Sequence, residues 1–292
     1  MRHNATSAPC TSDHQHPRKS TQPEAFALPS LSERCRAAMQ MRKLLRPFLR
    51  TPLHPQWLLG RAGALGPWVA MHAHGVVLDI GCADRWIERL LPTGTRYVGV
   101  DYWETGKNLY KAQPDIYADA AMLPLATESC DCVVLLEVLE HIRNPQAALH
   151  EIARVLRPGG KLLLSIPFLY PTHDAPHDYQ RLTHHGLDRD LENAGLQVIS
   201  TEARLSTIET AAMLCCLALG GSALQSLQQR HPSLLLAPVL AALIPVINIM
   251  GWLLTRLLPH WPAFTSGFRA LAHKPGPART DTSGVTENSL TG

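Results

Sequence analysis

The stretch Val76-Val77-Leu78-Asp79-Ile80-Gly81-Cys82-Ala83-Asp84 sets the tightest limit on what this chain can fold into. An apolar, β-branched run stops at a glycine, and spaced apolar residues follow (Trp86, Ile87, Leu90, Leu91). That pattern reads as a buried parallel strand feeding a helix through a tight turn. A second run, Tyr97-Val98-Gly99-Val100, ends in Asp101. Open α/β sheets bind ligands beyond the carboxyl ends of their strands, and an acidic residue roughly 20 positions after the first turn accepts hydrogen bonds from ribose hydroxyls. The turn also narrows the kind of nucleotide. A dinucleotide pyrophosphate needs G-x-G-x-x-G, whereas Gly81 is followed here by Ala83 and Arg85. The Asp79 carboxylate would repel a pyrophosphate and suits a ligand carrying an ammonium group, which disfavours an NAD-dependent oxidoreductase.

Strand and helix patterns alternate from Val76 onward, which predicts an α/β, doubly wound, Rossmann-like sheet. Strands are expected at 76–80, 96–100, 116–120, 131–136, 161–166 and 196–200. Helices are expected at 144–156, with Asn144 as N-cap and Pro145 in the first turn, and at 183–194, ended by Gly195. An alternating pattern resumes at Phe268–Lys274. The domain organisation follows: a polar, disordered tail over 1–30, a basic helical cap over 31–60, a core over 61–205, an apolar helical insert over 206–263, a last core strand within 264–274 and a second disordered tail over 275–292. The cap carries Arg34, Arg36, Arg42, Lys43, Arg46 and Arg50, and reads either as a solvated helix face or as a cover or lipid-facing patch. His14 and His16 sit in the first tail and read as incidental.

With 46% hydrophobic and 17% charged residues, the 292-residue chain can bury a sizeable core. A net charge of +3 gives no argument for nucleic-acid binding. Seven scattered cysteines with no C-x-x-C pair, and no apolar leader in the first 30 residues, point to reduced thiols in the cytoplasm.

Four segments, in order and on the expected strand ends, carry a family resemblance. Asp79-Ile80-Gly81-Cys82-Ala83 resembles motif I of the class I S-adenosylmethionine-dependent methyltransferases. Asp119-Ala120-Ala121-Met122-Leu123-Pro124 resembles their acidic turn after strand 3. Asp131 to His141 is similar to motif IV of the small-molecule, type 11-like branch, and Leu156-Arg157-Pro158-Gly159-Gly160-Lys161 resembles the turn into strand 5. The resemblance implies a seven-stranded, mostly parallel sheet with an antiparallel last strand, and S-adenosylmethionine as cofactor. It assigns the methionine end to Asp79 and to Gly81, Cys82 and Ala83, the ribose to Asp101 and the adenine surroundings to Tyr102, Asp119 and Ala120. Glu137 joins the cofactor set. An H-D-Y-x-R segment next to the acceptor pocket implies substrate roles for Asp178, Tyr179 and Arg181.

Methyl transfer from a sulfonium is an in-line displacement in which positioning supplies much of the catalysis. An oxygen or nitrogen acceptor of high pKa needs a base, for which His141 and His177 are the candidates. A metal is not expected, because two prolines interrupt any helical i, i+4 ligand spacing in the histidine-bearing loop. The expected activity is methylation, at O or N, of a small-molecule or lipid-linked acceptor. The alternative is a catalytically inactive, membrane-associated module that keeps the fold and has lost the cofactor through Ala83 and Arg85.

The insert has no charged residue from Thr210 to Gln229, and none between Arg230 and Arg256. Its second stretch exceeds the roughly 20 apolar residues that span a bilayer. If 267–274 rejoins the sheet, the insert leaves and returns on one side, which excludes a single crossing. Gly220-Gly221, Pro238 and Pro245 predict broken helices, hence a monotopic element facing the membrane on its cytoplasmic side, with a buried lid as the other option.

Overall fold

The computed structural model describes residues 46–61, 65–110 and 112–276. Half of the basic cap (31–45), the first tail and nearly all of the second lie outside the described residues. Seven strands form one sheet: β1 (Val76–Ile80), β2 (Arg96–Asp101), β3 (Ile116–Tyr117), β4 (Cys130–Leu136), β5 (Leu156–Pro167), β6 (Gln197–Ala203) and β7 (Gly267–His273). Their order is β3-β2-β1-β4-β5-β7-β6. The first five run parallel, and β7 lies antiparallel between β5 and the edge strand β6. Six α-helices accompany the sheet among the described residues: α1 (Trp57–Arg61), α2 (Leu65–His72), α3 (Pro145–Val155), α4 (His184–Asn193), α5 (Thr207–Gln229) and α6 (Ala237–Leu254).

Both faces of the sheet are covered, as apolar parallel strands require. The period-two alternation sends Leu78, Ile80, Val133, Leu135, Leu162 and Leu164 into a core with Leu149 and Ile152 of α3. It sends Val77, Cys132, Val134 and Leu163 to the other side, against Trp68 and Val69 of α2.

Three local departures from the expected elements have physical reasons. The helix expected after Gly81 is absent, and a run of turns leads to one 3-10 turn, Glu88–Leu90. Ala83 and Arg85 have φ of 44° and 57°, and left-handed residues cannot continue a right-handed helix. The third strand is only two residues long. The fifth begins earlier than expected, with Pro158-Gly159-Gly160 inside it as an irregularity facing β4, where the register shifts between Cys130 and Cys132.

The insert is a helical hairpin whose two helices are continuous, contrary to the expected breaks. Pro238 sits in the first turn of α6, where its missing N–H costs nothing. Pro245 and Gly220-Gly221 are carried inside the helices, which pack on each other. Helix α5 opens with a reciprocal Ser206–Glu209 capping box. The foot of the hairpin is anchored to protein. Trp57 and Leu58 of α1 pack on Ala212, and Gly251 meets Ala212 so closely that a Cβ at Gly251 would lie 2.6 Å from that of Ala212. The buried Asn248 amide donates to the carbonyls of Pro52 (2.7 Å) and His54 (3.0 Å). Replacing Asn248 by Leu leaves two carbonyls short of their donors, so it should cost about 2 kcal/mol. Chemical denaturation in detergent, followed by tryptophan fluorescence, reads this as a lower midpoint.

Candidate active site

A cavity of about 640 Å³ opens at the carboxyl ends of β1, β2 and β4, a size usual for a cofactor or small-ligand pocket. Its floor is the turn after β1. The Gly81 and Cys82 N–H groups both donate to the Val100 carbonyl of β2, at 2.8 and 3.1 Å. Gly81 has φ of 77°, and a Cβ there would fall 2.3 Å from a Val138 methyl. Only glycine satisfies both conditions. The left-handed bend at Ala83 turns its N–H onto Asp101 Oδ2 at 2.9 Å, while the Tyr102 N–H donates to Oδ1 at 2.8 Å. Asp101 is buried on the cavity wall, and burial pushes its carboxyl up against the pull of those two N–H groups. Each oxygen keeps a lone pair for a ligand.

Around this clamp stand the exposed ring of Tyr102, the small Ala120 and the exposed Asp119, whose Oδ1 accepts the Ala121 N–H at 2.9 Å. Glu137, at φ 55°, also lines the cavity, and its Oε1 accepts from Ser165 Oγ (2.7 Å) and the Arg204 guanidinium (2.6 Å).

Two residues assigned to the cofactor by resemblance stand elsewhere. Asp79 shares the strand face of Val77, so its carboxyl lies behind the turn, 2% exposed, where it accepts the Tyr97 hydroxyl at 2.6 Å. Burial pushes its pKa up to about 7. Cys82 is likewise buried behind the wall, and burial pushes its thiol up to about 12.

On the acceptor side, His141, His177 and Tyr179 line the cavity. His141 Nδ1 lies 2.7 Å from the His177 carbonyl and therefore donates to it, and His177 Nδ1 lies 3.2 Å from the Tyr179 hydroxyl. Asp178 and Arg181 form a two-pronged ion pair (2.5 and 2.7 Å) behind the wall, and Asp178 also takes the His173 N–H at 2.9 Å. Their contacts hold the loop's shape. Sequence reasoning missed Glu104, Arg143 and Asp174, which also line the cavity. Arg143 lies two positions beyond His141 on the same strand-end loop, its guanidinium over the Tyr179 ring, so the strand-end rule could have found it.

A mostly parallel sheet with a glycine turn, a buried acidic strand tip and an adjoining pocket is the arrangement in which open α/β sheets hold nucleotide-like ligands. Residues 78–164 match the family model described as a methyltransferase domain. The chain is 28% identical over 176 residues to the "Ubiquinone biosynthesis O-methyltransferase" of Azoarcus sp. (strain BH72), an alignment covering 51% of this chain and 72% of that protein. It is 32% identical over 136 residues to a "Probable S-adenosylmethionine-dependent methyltransferase" of Mycolicibacterium smegmatis, covering 43% of this chain and 53% of that protein. Among solved structures it is similar to the cyclase SpnF, with a TM-score of 0.48, 16% identity, and coverage of 82% of this chain and 96% of that one. The chain thus spans about half the length of the second relative. The domain match and these relatives support a class I S-adenosylmethionine-dependent methyltransferase domain in this chain, for which S-adenosylmethionine is the expected cofactor.

The buried Asp79 makes stability depend on pH. Its folded pKa lies above the unfolded value, so the fold holds its proton. The penalty is absent below about pH 4, grows towards pH 7 and is complete above it. Asp79→Asn keeps an acceptor for Tyr97 and removes the ionisation. The variant should gain on the order of 2–4 kcal/mol over the parent at pH 8 and almost nothing at pH 4. Urea denaturation of both proteins at the two pH values checks this, and an equal difference at both would contradict it.

Proposed function

We propose that this protein transfers the methyl group of S-adenosylmethionine to an oxygen or nitrogen of a small-molecule or lipid-linked acceptor. The observation that carries the reading is the Asp101 clamp. One carboxylate fixes the Gly81–Ala83 turn and keeps lone pairs free on the wall of a cavity that also holds His141, His177 and Tyr179. Asp101 takes the ribose diol, Tyr102 and Ala120 flank the adenine, and Asp119 receives its amino edge. The turn backbone takes the methionine end, with Asp79 positioning that turn from beneath and Glu137 closing the same wall. His177 is the better placed base, because the free Nε2 of His141 faces the buried Glu140 at 3.7 Å. Tyr179 faces the acceptor, while Asp178 and Arg181 hold its loop. The relative named for ubiquinone biosynthesis is an O-methyltransferase, which supports an oxygen acceptor.

Isothermal titration with S-adenosylhomocysteine tests the cofactor half. The parent should bind, and Asp101→Ala should lose about 1.5–3 kcal/mol, the worth of hydrogen bonds to a charged group, or roughly ten- to hundredfold in Kd. Absence of heat with the parent would favour the inactive module instead.

The hairpin supports a membrane-facing role. Thr207–Gln229 and Pro232–Leu254 are long and apolar enough to cross a membrane, and only 22% and 17% of their apolar windows are buried. Val239, Leu243, Val246, Met250 and Leu253 form an exposed stripe on α6. At its foot, Arg256 covers the Trp252 ring and Trp261 is exposed, the aromatic and basic composition that settles at a membrane–water boundary. The purified protein should therefore float with liposomes. Leu243→Asp combined with Met250→Glu should leave most of it in the soluble fraction with its S-adenosylhomocysteine affinity intact. Complete solubility of the parent without detergent or lipid would overturn this placement.

A further inference from the structure

Behind the acceptor wall, Glu140 is the central residue of a 3-10 turn, Leu139–His141, that follows β4. Its side chain is fully buried, and neither carboxylate oxygen has a hydrogen-bond partner. A buried carboxylate without partners is costly, and native structures retain one where something else neutralises it. Two imidazoles face it. His141 Nε2 lies 3.7 Å from Glu140 Oε1, and His173 Nε2 lies 3.9 Å from the same atom. The tautomers follow from the opposite ring nitrogens. His141 Nδ1 donates to the His177 carbonyl at 2.7 Å. His173 Nδ1 faces the Pro171 carbonyl and Asp178 Oδ2, each at 3.3 Å. With those tautomers both Nε2 atoms turn their lone pairs towards Glu140 Oε1.

Those separations are too long for a hydrogen bond. They match another geometry, since donor atoms each about 2.1 Å from one shared ion stand roughly 3–4 Å apart. The three ligand atoms lie within 4.8 Å of one another. Anchoring each imidazole through its far nitrogen to a carbonyl or carboxylate is what orients metal-binding histidines. The surroundings are braced as well: the Tyr179 N–H donates to the Glu140 carbonyl at 2.9 Å, and the Gln180 amide to that of Leu139 at 2.7 Å.

We propose that Glu140, His141 and His173 form a binding site for a divalent first-row transition metal at the acceptor wall. Two histidines and one carboxylate leave coordination positions open, the arrangement found where a metal binds and activates an oxygen. His141 borders the cavity, so the site would sit directly behind the wall that an acceptor meets. This role rests on the methyl-transfer reading. An acceptor hydroxyl held at that wall, polarised by the nearby ion, would give up its proton through His177 to water. The oxygen lone pair then forms the new C–O bond while the methyl–sulfur bond breaks towards sulfur, leaving S-adenosylhomocysteine and the methylated acceptor. The ion supplies charge stabilisation and undergoes no redox change.

The test uses the full chain, stripped with a chelator and dialysed free of it. Co²⁺ is titrated with visible absorption as the readout, Zn²⁺ is added in competition, and S-adenosylhomocysteine calorimetry runs in parallel. The parent should bind one Co²⁺ per chain, displaced by Zn²⁺. Glu140→Gln and His173→Gln should each weaken that binding at least about a hundredfold, while S-adenosylhomocysteine affinity stays within about threefold. If Glu140→Gln fails to fold, as shown by circular dichroism, His173→Gln decides. No Co²⁺ bound by a parent that still binds S-adenosylhomocysteine overturns the site, as does unchanged affinity in the folded variants. Metal binding by a parent that gives no heat with S-adenosylhomocysteine would instead retain the site and remove the methyl-transfer role.

Discussion

The Asp101 carboxylate holding the turn after β1 is the interaction on which the functional end of the sheet depends. Related α/β architectures let a helix follow the glycine turn, and its N–H groups and dipole then define the floor. Here the left-handed residues Ala83 and Arg85 remove that helix, so the floor is fixed from the neighbouring strand. Val100 receives two N–H groups of the turn and Asp101 a third. Arg85 adds an outer tie, bonding Glu88 and Asp115 while its guanidinium lies over the Tyr97 ring. Because Asp115 in turn accepts the Gly99 N–H at 2.7 Å, the tie returns to β2. The turn and the Asp101 carboxylate thus form one unit, and neither can shift alone.

The hairpin is tied to the sheet with similar economy. Its two feet must meet, because β7 returns between β5 and β6. Thr265 Oγ1 bonds the Leu205 and Gly267 carbonyls, Thr207 Oγ1 donates to the Trp261 carbonyl, and Ser206 Oγ meets Thr255 Oγ1. These contacts use short hydroxyl side chains at the base, where an apolar element emerges from a polar rim. The segment beneath the hairpin also touches the acceptor loop, since the Gln56 amide bonds the Tyr170 hydroxyl and the Tyr170 ring meets His173 edge-on. A displacement of the hairpin foot therefore has a short packed route to the acceptor side of the cavity.

Much of the sheet was legible because burial on both faces leaves a clear signal: 76–80, 131–136 and 161–166 are predominantly apolar and became β1, β4 and the inner part of β5. What failed did so for local reasons. The spacing of Trp86, Ile87, Leu90 and Leu91 matched a helix, yet backbone handedness at Ala83 and Arg85 overrode it. The orientation of Asp79 was readable and not read. It sits two residues from Val77, so it shares that strand face, and its partner Tyr97 stands opposite Val77 in the register. The helix-breaking reading of Pro238 and Pro245 weighed propensity over position, although the first turn of a helix tolerates proline. The Glu140–His141–His173 cluster left no periodic trace, since its members come from a turn and a loop more than thirty residues apart.

These contrasts divide the site into two halves with different physical foundations. The cofactor half is made of strand ends and backbone groups, whose positions the hydrogen-bond ladder determines within tight limits; a side chain can change there only where none is needed. The acceptor half hangs on a loop, Pro167 to Arg181, held by side-chain contacts such as Asp178 with Arg181 and Gln180 with the Leu139 carbonyl. Such contacts can be exchanged without disturbing the sheet. A scaffold arranged in this way fixes the turn after β1 through the sheet while His177 and Tyr179, which line the same cavity from the loop, stay free to vary.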